Sequence, residues 1–342
     1  NPELDKANIE QAINNINSAI NNLNGEAKLT KAKEDAVASI NNLSGLTNEQ
    51  KAKENQAVND AETRDQVANV LRDSKALDQS MQTLRDLVNN QNAIHSTSNY
   101  FNEDSTQKNT YDNAIDNGST YITGQHNPEL NKSTIDQTIS QINTAKNDLH
   151  GAEKLQRDKG TANQEIGQLA YLNNPQRSGE EALVNGSNTR SEVEEHLNEA
   201  KSLNNAMKQL RDKAAEKTNV KQSSDYINDS TEHQRGYDQA LQEAENIINE
   251  IGNPTLNKSE IEQKLQQLTD AQNALQGSHL LEEAKNNAIT EINKLTALNG
   301  AQRQKAIENV QAQQTIPAVN QQLTLDREIN TAMQALRDKI GQ

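Results

Sequence analysis

The stretch VANVLRDSKALDQSMQTLRDLV, Val67 to Val88, carries the longest regular apolar pattern in the chain. Its apolar or small residues alternate three- and four-residue steps, at Val67, Val70, Ser74, Leu77, Met81, Leu84 and Val88. These steps put the side chains on one helix face and are typical of a coiled-coil-like seam. No proline or glycine interrupts the chain before Tyr100, so the pattern predicts one helix over about 63–100. At about 55 Å, such a helix is too long for one small bundle, so we expect two successive bundles to share it.

The pattern returns one repeat later, at Val193, His196, Ala200, Leu203, Met207, Leu210 and Ala214. A second motif marks the same repeat: NPELDK at Asn1–Lys6 becomes NPELNK at 127–132 and NPTLNK at 253–258. The prolines of these motifs lie 126 residues apart in each case. A period this regular indicates one structural unit built several times.

The composition favours several thin modules over one large core. Only 32% of the 342 residues are hydrophobic and 2% are aromatic, which is low for a single compact domain of this length. The net charge of −15 argues against nucleic acid and anionic lipid as partners. Cysteine is absent, which excludes disulfides and thiolate metal sites but leaves the compartment open. With no apolar run of membrane-spanning length, we expect membrane contact only through regions outside this fragment.

Each unit predicts five helical segments, which in the first copy are about 5–23, 26–43, 48–60, 63–100 and 105–122. Capping boxes at Thr47, Thr63 and Thr189, and a first-turn proline at Pro175, place helix starts near residues 48, 64, 190 and 174. Glycines at 25, 151 and 277 are expected to be left-handed helix caps. No stretch shows strand alternation, so the predicted fold is all-α, with short connections that favour three-helix bundles.

The residues also carry a family resemblance. SNYFNEDSTQKNTYDNAI at 98–115, followed by NPELNKSTIDQTISQINTAKNDLHG at 127–151, resembles the FIVAR family. LTKAKEDAVASINNLSGLTNEQKAK at 29–53, with LDQSMQTLRD at 77–86, resembles the GA module family and reappears as LLEEAKNNAITEINKLTALNGAQRQKA with INTAMQALRD. The alternation resembles the giant extracellular-matrix-binding adhesins of staphylococci. It implies an elongated string of alternating three-helix bundles that share long connecting helices.

The resemblance divides the chain into six parts. They are the final helix of a truncated FIVAR-like module at 1–24, GA-like bundles at 25–90, 151–216 and 277–342, and FIVAR-like bundles at 91–150 and 217–276 that share the preceding long helix.

The resemblance also implies an extracellular location at the bacterial cell wall and adhesion to a matrix protein such as fibronectin or to a cell-wall polymer. GA modules of other surface proteins bind albumin. The second GA-like helix here, NEQKAKENQAVNDAE at 48–62, lacks the tyrosines of the binding members, which argues against albumin. The ligand-contact residues stay unknown, and a monomer is expected.

Neither catalysis nor a cofactor is predicted. The carboxylate pairs Glu180–Glu181 and Glu194–Glu195 could serve as acid and base in glycan cleavage, but their charged neighbours favour a solvated helix face. The six histidines share no position of the repeat, which argues against a metal site or proton-transfer site belonging to the unit: His95, His126, His150, His196, His233 and His279.

Two further groups could bind a partner but have simpler interpretations. The basic cluster Lys208, Arg211, Lys213, Lys217 and Lys221 could attract an anionic polymer, although interleaved acidic residues favour ordinary charge pairing. The methionines at 81, 207 and 333 lie in the apolar seam, which favours a core position over a binding patch.

The function predicted from the sequence is therefore a non-enzymatic, rod-like stalk with weak multivalent attachment. The alternative is a discrete ligand-binding module for albumin or fibronectin. Seven aromatic residues in the whole chain offer few anchors for a tight contact, which favours the stalk. The second GA-like bundle is predicted to be the least stable of the three, because Gly160 and Gly167 fall inside its first helix.

Overall fold

The computed structural model describes residues 2, 4–124 and 127–341. Throughout this described part the regular secondary structure is helical, with no β-strand, which confirms the predicted all-α fold. The chain forms two compact units, residues 1–157 and 158–342. The helix that contains the boundary, α9, runs over Gly151–Gly167.

Unit 1 contains one GA-like bundle and the FIVAR-like bundle that follows it. Its helices before α9 are α1 (Lys6–Asn21), α2 (Gly25–Asn41), α3 (Asn48–Asp60), α4 (Arg64–Asn89), α5 (Gln91–His95), α6 (Ser98–Phe101), α7 (Ser105–Thr123) and α8 (Lys132–Asn147). The capping boxes predicted at Thr47 and Thr63 both form. Each satisfies two backbone N–H groups that a helix start otherwise leaves unpaired.

Helix α4 belongs to both bundles of unit 1. It packs against α2 and α3 in the GA-like bundle and against α7 and α8 in the FIVAR-like bundle. Met81 and Leu84 of α4 are fully buried with Tyr111 of α7 and Ile142 of α8. Leu43 packs against both hydrophobic clusters, so the two cores meet at this point. Successive bundles therefore share a long helix, as predicted.

Unit 2 repeats this arrangement and adds a third GA-like bundle. After α9 its helices are α10 (Asn174–Gly186), α11 (Arg190–Ala215), α12 (Lys217–Gln222), α13 (Ser224–Ile227), α14 (Thr231–Ile248), α15 (Lys258–Asn273), α16 (Gly277–Asn293), α17 (Gly300–Gln311) and α18 (Ile316–Ile340). Helix α11 packs against α10 on one side and against α14 and α15 on the other. Pro175 lies in the first turn of α10, and Thr189 forms the capping box of α11, as predicted.

The long helix is shorter than its pattern predicted. The helix expected over 63–100 ends at Asn89, and two short helices, α5 and α6, follow it. The chain turns at Thr97, which has extended backbone angles and whose hydroxyl caps the N–H of Tyr100. Ser223 does the same for Tyr226 in unit 2. A hydroxyl residue offers the backbone an alternative to the helix, and periodicity alone does not detect it.

The predicted left-handed caps at Gly25, Gly151 and Gly277 are wrong. Each glycine is instead the first residue of a helix, α2, α9 or α16. The left-handed glycine of the described residues is Gly124, with φ 68°. Gly151 and Gly277 are needed for space, since a Cβ on either would come within 2.4–2.7 Å of the backbone of the preceding FIVAR-like bundle.

The apolar stripe of α1 is exposed, whereas its copies are buried. Ile9 and Ile16 are 46% and 59% exposed, but their counterparts Ile135 and Ile142 in α8 are fully buried between α4 and α7. Leu336, near the end of α18, is likewise 52% exposed although its counterparts Leu84 and Leu210 are buried. A FIVAR-like core therefore needs a long helix and two further helices together.

Candidate functional site: the module junctions

The first kind of junction joins a GA-like bundle to the FIVAR-like bundle after it, and the recurring NP motif closes it. The side-chain amide of Gln50 donates to the carbonyl of Glu129 at 2.7 Å, and Gln176 donates to the carbonyl of Thr255 at 2.9 Å. Both glutamines are buried, and each is also the third-position residue of a capping box. We call this contact the GA–FIVAR junction. It ties the motif to the second helix of the GA-like bundle.

The other residues of the motif direct the chain into the next helix. Asn131 and Asn257 accept hydrogen bonds from the backbone N–H of Ser133 and Ser259, both at 2.9 Å, and so cap α8 and α15. Asn253, directly before Pro254, has φ 24°, which asparagine tolerates better than most residues. The motif therefore recurs because it makes a turn, caps a helix and presents a carbonyl to the preceding bundle.

The arginine of the recurring LRD run bonds a loop of its own GA-like bundle, and in unit 2 it also reaches the FIVAR-like bundle. Arg85 donates to the carbonyl of Gly45 at 2.9 Å, and Arg211 donates to the carbonyl of Tyr171 at 2.8 Å. Arg211 also donates to the carbonyl of Ile248 at the end of α14, at 3.3 Å. One guanidinium therefore connects a loop of the GA-like bundle with the FIVAR-like bundle.

The second kind of junction joins a FIVAR-like bundle to the GA-like bundle after it. The buried carboxylate of Glu103 accepts from the backbone N–H of His150 at 2.5 Å and pairs with the ammonium group of Lys154. At the same repeat position in unit 2, Asp229 accepts from the backbone N–H of Gln276 at 2.6 Å. Asp225 accepts from the backbone N–H of Ser278 at 3.1 Å. We call this contact the FIVAR–GA junction.

A single asparagine adds a second attachment at the FIVAR–GA junction of unit 2. Asn228 donates to the carbonyl of Gln314 at 3.1 Å and accepts from the N–H of Ile316 at 2.8 Å. These two residues flank the start of α18. The short helix α13 is therefore bonded to both the first and the third helix of the following GA-like bundle, which restricts hinge motion between the two modules.

The junction carboxylates are held in the ionised form. Burial disfavours the charge of Glu103, but the hydrogen bonds from Lys154 and from the N–H groups of Asp104 and His150 outweigh it and lower its pKa. Asp229 shows the same balance: burial opposes its charge, while the N–H groups of Gln276 and Ser230 and the ring of His233 lower its pKa. Anionic groups are favourable at helix starts. The two FIVAR–GA junctions, at Glu103 and at Asp229, are therefore stabilised at neutral pH.

A polar network that the sequence reading missed fastens the short helices to the FIVAR-like core. Asp112 accepts from the hydroxyl of Tyr100 at 2.6 Å and contacts the ring of His95 at 2.7 Å. The same positions of the next repeat hold Asp238, Tyr226 and Lys221, with contacts of 2.9 Å to the tyrosine and to the lysine. A comparison of histidine positions alone does not find this network, because the residue that contacts the aspartate is histidine in one copy and lysine in the other.

The proposed acid–base pairs fall into different environments. Glu194 and Glu195 are exposed and Glu181 is half-buried. The prediction of a solvated face is wrong for Glu180, which is only 2% exposed. It lies on the inward side of α10, in line with the buried residues Gln176 and Val184. Its neighbours in the sequence are polar, which hid this position from the sequence reading.

The remaining candidate residues have structural partners. Within the basic cluster, Lys208 pairs with Asp212, Lys213 with Glu216, Lys217 with Glu245 and Lys221 with Asp238. Charge pairing is therefore confirmed for the four lysines, whereas Arg211 donates to backbone carbonyls. Met81 and Met207 are fully buried, and Met333 is half-buried. His126 lies outside the described residues. In the described part of the chain, no group of three or more acidic or histidine side chains is arranged to hold a metal ion, and no helix is long and apolar enough to cross a bilayer.

Comparisons with known proteins give the same alternation of modules. The GA module family matches residues 26–80, 152–206 and 278–332, and the FIVAR domain family matches residues 1–24, 80–150 and 206–276. The extracellular matrix-binding protein ebh of Staphylococcus aureus strain NCTC 8325 is 38% identical over 341 residues, and EbhA of strain Newman is 37% identical over 342 residues. Both matches cover this whole chain, which spans only 4% and 10% of those two proteins.

A solved structure supports the fold. The crystal structure of the 756–1003 domain of Staphylococcus aureus EbhA matches with a TM-score of 0.67 and 26% identity, over 72% of this chain and 98% of that domain. The matched families alternate along this chain. Each shared helix, α4 or α11, contains the end of a GA match and the start of a FIVAR match. The chain therefore belongs to the families of GA modules and FIVAR domains, joined alternately as in the staphylococcal extracellular matrix-binding proteins.

Proposed function

We propose that the chain is a non-enzymatic stalk region of an adhesin at the bacterial cell surface. The observation that carries this proposal is that buried side chains close both kinds of junction. Gln50 and Gln176 bond to backbone carbonyls of the next module, and Glu103 and Asp229 bond to the backbone N–H directly before its first helix. A shared helix and a bonded junction each restrict hinge motion, which suits a protein that must hold attachment sites away from the cell wall. The names of the relatives support a matrix partner.

The proposed attachment is weak at each module and strong only in series. The tyrosines at one position of the repeat are used inside the modules, since Tyr111 and Tyr237 are 1% exposed. Phe101, the single phenylalanine, is 60% exposed, and the equivalent Ile227 is 48% exposed. Further large apolar side chains are exposed in the second repeat: Leu130, Tyr171, Leu183 and Ile251. Single side chains spaced along the chain are small anchors compared with the clustered hot spots of tight interfaces. A repetitive ligand such as a matrix protein or a cell-wall polymer compensates through avidity.

Surface plasmon resonance tests this function. The single unit 26–150 keeps α4, α7 and α8 together, so its FIVAR core is complete. We expect it to bind immobilised fibronectin or purified wall polymer more weakly than about 1 μM. The 342-residue chain, a monomer in this proposal, should bind the same surface at least about a hundredfold more tightly.

Albumin is the matched control because it is a monomer with no repeat along which avidity can build. Tight one-to-one binding of albumin or fibronectin by the single unit, with no gain in the longer chain, would show that the chain is a discrete ligand-binding module.

A further inference from the structure

Each of the three GA modules buries a carboxyl group between its second and third helices. Glu54 on α3 and Glu180 on α10 provide it from the second helix of their modules and are 9% and 2% exposed. In the third module the second helix has Ala306 at the equivalent position. The facing position of the third helix holds Asp326 on α18, which is 2% exposed. The carboxyl group therefore changes helix but keeps its place between the second and third helices.

The contact across this place is visible in the first module. Ser74 of α4 donates its hydroxyl to Glu54 at 2.9 Å. Alanine replaces this serine in the second module, at Ala200. The Oε2 atom of Glu180 and the Oδ2 atom of Asp326 have no hydrogen-bond partner among the described residues. A buried, unpartnered carboxylate is costly, whereas its protonated form is much less so.

Few charges near Glu180 compensate for its burial. Glu199 and His196, both on α11, act on it with opposite signs. The charged residues of the other adjacent segments are bonded elsewhere. On α9, Lys159 donates to the carbonyl of Asn185 and Glu165 pairs with Lys201. Before α15, Glu250 accepts the N–H of Thr255.

The other two copies have similar surroundings. Near Glu54, Asp73 of α4 pairs with Arg72, and Lys33 of α2 donates to the carbonyl of Asn59. Near Asp326, Gln322 donates to its Oδ1 atom. The neighbouring charges pair with each other: Glu291 of α16 with Lys294 and Arg327, and Lys305 of α17 with Glu308.

The protonation equilibria follow from this burial. Burial raises the pKa of Glu180 to about 7, with Glu199 adding to the shift and His196 opposing it. Burial also raises the pKa of Glu54, against the hydrogen bond from Ser74. It raises that of Asp326, against the hydrogen bond from Gln322. A carboxyl group whose pKa is higher in the folded than in the unfolded chain stabilises the fold at low pH. The stability is lost as the pH rises through the folded-state value.

We propose that the buried carboxyl groups of the GA modules form a proton-sensitive lock, which tightens each module on mild acidification and loosens it at alkaline pH. The effect is largest in the second module, because Glu180 lacks the hydroxyl partner that Glu54 has and the amide partner that Asp326 has. Through this lock, the resistance of the modules to local unfolding would depend on the pH of their surroundings. It is independent of the ligand that the stalk contacts.

Hydrogen exchange of the full chain at pH 5 and pH 8, corrected for intrinsic rates, tests the proposal. Glu180→Gln keeps the shape and removes the titration. We expect protection of α10 and α11 in the original chain to fall by at least about tenfold from pH 5 to pH 8. In Glu180→Gln the change should stay within about twofold, with higher protection at pH 8 than in the original chain.

The exposed Glu194→Gln is the matched control and should follow the original chain. Glu180→Ala is a second variant, since alanine occupies the equivalent position in the third module, and it should also remove the pH dependence. The proposal is overturned if α10 and α11 lose the same protection with pH in both Glu180 variants as in the original chain, or if the original chain shows no loss.

Discussion

Two buried glutamates of opposite character show how much a residue's role depends on its neighbours. Glu103 receives backbone N–H groups and an ammonium group, so burial does not prevent its ionisation. Glu180 receives none of these, and burial favours its neutral form. Both occur in polar stretches that look alike in the sequence. Glu103 joins two modules, whereas the ionised form of Glu180 weakens one module at high pH.

Replacing Glu103 by glutamine should loosen the FIVAR–GA junction of unit 1. The amide keeps the shape but loses the charge-assisted bonds to Lys154 and to the N–H of His150, a cost of about 2 kcal/mol in the free energy of unfolding. Chemical denaturation at pH 7 measures it. Asp104→Asn is the control, because Asp104 also contacts Lys154 but its side chain is 54% exposed, and it should cost much less.

The same junction should weaken in acid. The pKa of Glu103 is lower in the folded than in the unfolded chain, so its contribution is present above the usual value of 4.5 and is lost as the pH falls through the folded value. Backbone exchange at residues 150–154 should therefore rise more steeply below about pH 4 in the original chain than in Glu103→Gln. Equal pH profiles in the two proteins would contradict this assignment.

Glycine has two different roles in the helices of this fold. Gly160 lies on an exposed face of α9, and a Cβ at this position would have no neighbouring helix within 4 Å. Gly160→Ala should raise the stability of the second GA module by up to about 1 kcal/mol. Gly277→Ala is the contrasting control: its Cβ would lie 2.4 Å from the carbonyl oxygens of Ser224 and Asp225, so it should destabilise unit 2. Thermal unfolding of both variants checks the opposite signs.

At the scale of the element, the shared helices explain what the sequence could and could not predict. The heptad-like steps of 67–88 and the capping boxes at Thr47 and Thr63 are local signals, and the structure confirms them. The turn at Thr97 comes from a hydroxyl cap that periodicity does not report, and the tight packing at Gly151 depends on the preceding FIVAR-like bundle. No local pattern encodes such a contact. The NP motif marks the repeat in the sequence, but its bond to Gln50 joins residues 79 positions apart.

Helix α1 should be the least protected long helix of this chain. Its apolar stripe lacks the two helices that cover the same stripe in α8 and α15, and a single 16-residue helix is marginally stable in water. Hydrogen exchange should show residues 6–21 exchanging at least about a hundredfold faster than residues 132–147. Comparable protection of α1 and α8 would mean that a shared core is not what stabilises these helices.

At the scale of the whole molecule, we expect the junctions to keep neighbouring modules in line. In unit 2, the GA-like and FIVAR-like bundles share α11 and are also bonded through Gln176, and the FIVAR-like bundle is bonded to the last GA-like bundle at the FIVAR–GA junction. We expect a chain of modules joined in this way to resist folding back on itself. The predicted domain limits at 90/91 and 216/217 stay predictions, because each long helix belongs to both of the bundles that the limit separates.

Small-angle X-ray scattering of the 342-residue chain tests this central claim most directly. If the junctions hold the modules in line, the maximum dimension should be well over about 100 Å at the rise of the shared helices. Arg211→Ala, which removes the link between Tyr171 and Ile248, should broaden the distribution of interatomic distances. A radius of gyration near the roughly 20 Å of a compact globule of this length would contradict the account.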